Sequence, residues 1–201
     1  GTKLWFWRRD KLLSRLKKGA VIGMDGVFNM QPFYAKGGFK FSHRDLRMEG
    51  KGEKYTPSNN ISNIIEDDFS KIHALDTKCF GFDRKVFLGG WLKLPESTGY
   101  KYMSGNKLEG YGVIRKCRSG YKIGPLFASK PEVADELFKS LANYANADTI
   151  YLDIPEINSD AVKLAQKYSM KECFGCARMY YGKAPKLPYD QIYGVTTFEL
   201  G

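Results

Sequence analysis

The sequence predicts a mixed α/β fold, an α+β arrangement around a mixed sheet, and three observations carry that expectation. From residue 63 onward, segments with strand and helix periodicity follow one another in the order βααβββαβαββ, which suits neither a doubly wound nor an all-β fold. The helical segments carry apolar stripes closed by recognisable caps and stops. With 201 residues, 43% hydrophobic and 27% charged, the chain can bury a real core, which excludes disordered and fibrous classes.

Lys3 to Lys18 reads as a helix: Trp5, Leu12, Leu13 and Leu16 form its apolar stripe, cations crowd its last turn, and Gly19 stops it. Ala20 to Met24 is a short buried strand, Pro32 to Lys36 a brief helix closed by Gly37 and Gly38, and Phe39 to Met48 a strand. Gly50 to Asn60, rich in Gly, Pro and polar residues, is the clearest linker. The expected division is therefore 1–49, a linker at 50–62, and 63–201.

Beyond the linker, Asn63 to Glu66 is a strand, Asp67 to Phe80 a helix capped by Asp67 or Asp68, and Asp83 to Leu94 a helix stopped by Pro95. Tyr100 to Ser104, Tyr111 to Arg118 and Tyr121 to Ala128 form a meander with turns at Gly105-Asn106 and Ser119-Gly120. A helix at Pro131 to Ala145, a strand at Thr149 to Ile154, a helix at Ser159 to Tyr168 and strands at Lys171 to Tyr181 and Val195 to Leu200 complete the chain.

Residues 1–62 hold 13 Lys and Arg against 5 Asp and Glu, so most of the net charge of +10 lies there. Such clusters can serve nucleic acid, an acidic surface or a phosphorylated cofactor, or simply form a solvated helix face, and no nucleic-acid motif accompanies them. The apolar runs are far shorter than the roughly 20 residues a membrane helix needs. Four cysteines are too few for a disulfide scaffold, which suggests a reduced, intracellular and cytoplasmic protein. Cys173 and Cys176 lack a second pair to complete a zinc site, and on a strand residues three apart point to opposite faces, so no metal is expected.

One stretch repeats. Phe33 to Phe39, followed eight residues later by Arg47-Met48, aligns with Leu164 to Met170, followed by Arg178-Met179. Each copy follows a strand ending in Asp25 or Asp153 and an asparagine, Asn29 or Asn158, near the next helix start. This ordered set argues for duplicated units, the first missing its front half.

At these residues the sequence resembles the GNAT superfamily of acyl-CoA-dependent N-acyltransferases. Asn158-x-x-Ala161-x-x-Leu164 is similar to that family's Asn-x-x-Ala-x-x-Leu-Tyr helix, and Phe33-Tyr34-x-Lys36-x-Gly38-Phe39 to the same helix's end in a preceding domain. Ile123 to Ala128, Arg178-Met179-Tyr180-x-Gly182 and Gly194 to Gly201 resemble a tandem subfamily whose C-terminal domain ends this way. The resemblance implies a GNAT-like fold with a partial second copy at the N-terminus, and acetyl-CoA or CoA as cofactor.

It implies that the pantetheine arm runs along Ile123, Gly124 and Leu126 and contacts Asn158, with pyrophosphate at Ser129, Lys130 and Ala134. That turn departs from the family's glycines: Pro131 removes a donor and Glu132 adds a repelling charge, so Ser129 to Ala134 could equally be a plain helix cap. Tyr34 matches the general-acid tyrosine and could equally be core packing. The second copy has Ala165 there, which leaves Tyr168 as the substitute acid. Glu109 is the candidate base, with Asp153 more structural, and Phe82 and Arg84 sit where the family places its acceptor-binding loop. The first copy's phosphate loop is expected to end at Gly1.

The expected activity is acetyl transfer to a small-molecule or polypeptide amine by direct attack in a ternary complex. The competing expectation is a catalytically silent GNAT-fold interaction or regulatory module. An incomplete first unit would also expose sheet edges that a second copy of the chain, as a homodimer, could pair.

Overall fold

The computed structural model of the chain describes residues 2–199, so expectations resting on Gly1, Leu200 and Gly201 lie outside the described residues. Helix α1 (Thr2–Leu13) stops short of the predicted Lys18, because only Trp5 of its stripe is packed, while Leu12 and Leu16 stay 44% and 38% exposed. Strand β1 (Ile22–Gly26), a 3-10 turn, α2 (Gln31–Lys36) and β2 (Phe39–Lys51) follow. Strand β3 (Ile61–Asn63) lies before the predicted position, since Glu66–Asp68 turns as a 3-10 helix with the Asp68 carboxylate accepting from Ile65 N–H at 2.8 Å.

Helix α3 (Phe69–Phe80) ends at Gly81 with φ 99°, a left-handed stop that glycine adopts without strain. Then come α4 (Lys85–Trp91), β4 (Ser97–Ser104), β5 (Lys107–Lys116), β6 (Tyr121–Ala128), α5 (Pro131–Ala145), β7 (Thr149–Pro155), α6 (Ser159–Lys167), β8 (Lys171–Tyr181) and β9 (Ile192–Gly194). The last strand is thus three residues long and precedes the predicted Val195 to Leu200. From Val195 to Glu199 the chain is held by Val195 N–H to Asp153 carbonyl and by side chains rather than by a ladder.

Among the described residues the nine strands join one sheet in the order β1-β8-β2-β7-β6-β5-β4-β3, with β9 off this path against β6. Among the described residues only β6 and β7 run parallel, over Tyr121–Ile123 against Ile150–Leu152. The four strands β1-β8-β2-β7 read the same after exchanging β1 with β7 and β2 with β8. Their pairing follows suit: Asp25 lies opposite Arg178, and Asp153 opposite Arg47. At the centre of the β2–β8 ladder Asp45 faces Cys176.

Alternation over Leu126–Ala128, and a register shift between Ile123 and Leu126 that returns Ile123 to the Leu126 side, divide the core between two layers. Ile123 and Leu126 pack under α5 and α6 with Leu137, Leu141 and Leu152, whereas Phe127 packs with Ile72, Leu88 and Tyr111 under α3 and α4. A third cluster joins Trp5, Tyr34, Phe39 and Met179 around α1 and α2. Residues 52–60 form no regular element yet are tied to α5, Tyr55 exchanging two hydrogen bonds with the Asn143 amide at 2.6 and 2.9 Å.

Candidate active site

Strands β6 and β7 part after Ile123, and β9 sits in the opening. Leu126 and Phe127 pair with Gly194 and Ile192, and Val195 N–H reaches the Asp153 carbonyl at 2.8 Å. Asn158 fixes the same segment: its Oδ1 accepts from Asp160 N–H at 3.0 Å and caps α6, while Nδ2 donates to the Ile192 carbonyl at 2.9 Å. A Cβ on Gly124 would stand 2.4 Å from the Thr196 carbonyl oxygen, so the backbone there is already in contact with the chain's own C-terminal segment.

Charges beneath β9 complete the seal. Asp153, with no exposure, accepts two hydrogen bonds from Arg47 at 2.7 and 2.9 Å and pairs with the Lys122 ammonium, which also donates to Thr197 at 3.3 Å. Burial pushes the Lys122 ammonium down despite Asp153. Phe198 stacks under the Arg47 guanidinium at 4.8 Å.

The start of α5 is equally unsuited to phosphate. Ser129 donates to the Glu109 carboxylate at 2.5 Å, and Lys107 pairs with it at 2.7 Å. These bonds hold Glu109 below the usual carboxylate range, so an anion stands beside the helix N-terminus, with Glu132 in its first turn. Ala134 has no exposure and belongs to the core, while Ser129 and Lys130 are exposed. Ile123, Gly124, Leu126 and Asn158 are thus brought together, but around β9; the residues of this groove do not fit a CoA thioester.

The other expected site residues are dispersed. Tyr168 donates to Asp135 at 2.7 Å and stacks on Phe138 between α5 and α6; burial and that carboxylate push its phenol well above the ordinary value. Arg84 is buried, with Nε and Nη2 both 2.7 Å from Asp76, which also accepts from Tyr111 at 2.5 Å. Phe82, 62% exposed, packs edge-on against Phe80. Tyr34 is half-buried, its ring against the backbone of Gly26. Cys173 is exposed and Cys176 buried on β8.

A cluster that sequence reasoning did not assemble lies at the pseudo-equivalent end of the central strands. Register places Asp25, Arg178 and His43 side by side across β1, β8 and β2. Arg178 donates to Asp25 at 2.6 Å and to the Tyr180 hydroxyl at 3.1 Å. His43 Nε2 stands 3.4 Å from Asp45 Oδ1, and its ring meets Tyr189 edge-on at 4.9 Å. Burial pushes the Asp25 carboxyl up to about 7; Arg178 opposes the shift and Asp45 adds to it. The repeat supplied the signal, since it singled out Asp25 and Arg178, but pairing between copies was not readable from it.

Arg178 stands between two spaces. A cavity of about 40 Å³ adjoins His43, Asp45, Tyr180 and Tyr189, and an open cleft of about 550 Å³ runs past Asp25, Met24, Phe80, Phe82 and Phe198. Among the described residues no strand pairs with the outer edge of β1.

Known proteins share this architecture. A candidate acetyltransferase from Pyrococcus horikoshii superposes with a TM-score of 0.80 at 25% identity, over all of this chain and 66% of that one. A GCN5-related N-acetyltransferase from Sphaerobacter thermophilus, at 11% identity, shares the fold with a TM-score of 0.66 over 94% of this chain and 70% of its own. Holothin acyltransferase of Pseudoalteromonas sp. (strain SANK 73390) is 28% identical over 182 residues, 90% of this chain but only 62% of that protein. The pattern of the acetyltransferase (GNAT) domain matches residues 72–194, more than half of the chain, and the chain belongs to that family.

Proposed function

We propose that the chain is the acceptor-binding part of an acyl-CoA-dependent N-acyltransferase, in which residues 63–199 serve as a closed scaffold and transfer takes place at the Asp25 end of the sheet. The observation that carries this reading is β9 seated between β6 and β7, where an acyl thioester's arm would otherwise pair. The palindromic strand order and the exchanged Asp–Arg pairs support reading residues 2–49 as the back half of a first, equivalent unit. There the open edge of β1 and Tyr34 beside Gly26 stand where β6, β9 and Ala165 stand in the second unit. For residues 63–199 taken alone, the same closure favours a catalytically silent module.

Thiol release from acetyl-CoA across a panel of amines tests the reading in the full-length protein. Ser129→Asp and Lys130→Glu, both at exposed positions, are expected to leave KM for acetyl-CoA within about twofold of the wild type, less than 0.5 kcal/mol. A rise of tenfold or more would locate the donor at α5 and overturn the assignment.

A further inference from the structure

Tyr193 on β9 is only 1% exposed, and its hydroxyl is buried with no hydrogen-bond partner among the described residues. It lines a cavity of about 350 Å³ between the first turns of α5 and α6. Burial, with Asp160 and Glu132 adding to it, holds the phenol well above its ordinary value, so the hydroxyl stays a neutral donor and acceptor. An unpaired hydroxyl in the interior is costly unless the space beside it is occupied.

The charges around this space select the sign of an occupant. Four carboxylates line it, Glu132, Asp135, Glu136 and Asp160, against the two ammoniums of Lys163 and Lys167. Lys163 pairs with Asp160 at 2.8 Å, Lys167 with Asp135 at 2.6 Å and Lys139 with Glu136 at 2.7 Å, which leaves Glu132 without an ion pair among the described residues. Each helix start contributes about half a positive charge, but each carries a full carboxylate in its first turn, Glu132 on α5 and Asp160 on α6. The carboxylates win. Pro131 at the start of α5 also withholds an N–H that an anion would need.

We propose that this cavity binds a small alkylguanidinium ligand, its head held by Glu132, Asp160 and the Tyr193 hydroxyl and its stem against Leu164 and Pro131. A guanidinium carries five N–H donors in one plane, enough to serve carboxylates on two helices and a hydroxyl on β9 together, and it is more weakly hydrated than an ammonium. Binding needs no acyl donor and no transfer step, so the inference goes beyond the acyltransferase reading. Because Tyr193 belongs to β9, and Asn158 at the start of α6 donates to the Ile192 carbonyl, an occupied cavity fastens β9 in the opening between β6 and β7.

Calorimetric titration of the full-length protein with butylguanidinium, beside butylammonium, tests the assignment. Butylguanidinium is expected to bind at least about fivefold more tightly than butylammonium, and to weaken at least about tenfold in Glu132→Gln, an exposed position that leaves folding intact. Tyr193→Phe is expected to weaken it about fivefold or more, while the thermal midpoint without ligand stays level or rises, because only an unpaired hydroxyl is lost. In the wild type, butylguanidinium should slow amide exchange in β9. Absence of binding at about 10 mM butylguanidinium overturns the proposal, as does equal affinity in Glu132→Gln or in Tyr193→Phe. Butylammonium bound as tightly as butylguanidinium overturns it too, and so does a fall in the Tyr193→Phe midpoint, which would show the hydroxyl already bonded.

Discussion

Asp25 holds its proton more tightly in the folded protein than in the unfolded chain, because burial outweighs the pull of Arg178 and takes the carboxyl from 3.8 to about 7. The folded state therefore binds more protons between these values, and the stability due to this group is fully present below about pH 4 and lost as pH rises through about 7. Asp25→Asn should flatten that part of the stability–pH curve relative to the wild type, measured by denaturant unfolding at pH 4 to 8. Arg84 makes a different prediction. Arg84→Met leaves Asp76 buried without its counter-ion and should cost about 3–5 kcal/mol. Tyr168→Phe should cost only about 1 kcal/mol by losing the bond to Asp135 and should leave kcat unchanged. Residue types were legible in the sequence, but their partners were not: Asp76 on α3 and Arg84 in the turn before α4 are eight apart, and only the fold turns Arg84 inward.

Caps, stops and periodicity made the elements legible wherever local chemistry decides. The predicted limits of β6, α5 and β8 agree with the structure, because Pro131 opens α5, Asn146 closes it at φ 45°, and β8 keeps its run of strand formers to Tyr181. The last strand differed because its ladder is chosen by a distant opening rather than by its own residues: Ile192 to Gly194 pair with β6, and Val195 onward is tied by Asp153 and Lys122. Closure of the groove was illegible for the same reason. Gly124→Ala should reveal it. A methyl group 2.4 Å from the Thr196 carbonyl and 2.6 Å from that of Val195 must displace the segment, with an expected loss of about 2 kcal/mol or more. Amide exchange at residues 192–196 should accelerate in step.

Across the whole molecule, the α/β class and the GNAT family were legible from element order and motifs, and the repeat foreshadowed the palindromic centre of the sheet. What the repeat could not convey is that the two similar ends differ in cover. Around Asp153 the ion pair lies beneath Phe198 and the C-terminal segment, whereas around Asp25 it opens onto a cleft. Acyl transfer at the Asp25 end is the central claim, and hydrogen–deuterium exchange of the full-length protein with and without saturating acetyl-CoA tests it most directly. The account predicts slowed exchange in β1 and α2, residues 22–36, and no change in residues 121–134. Protection confined to residues 121–134 would contradict it.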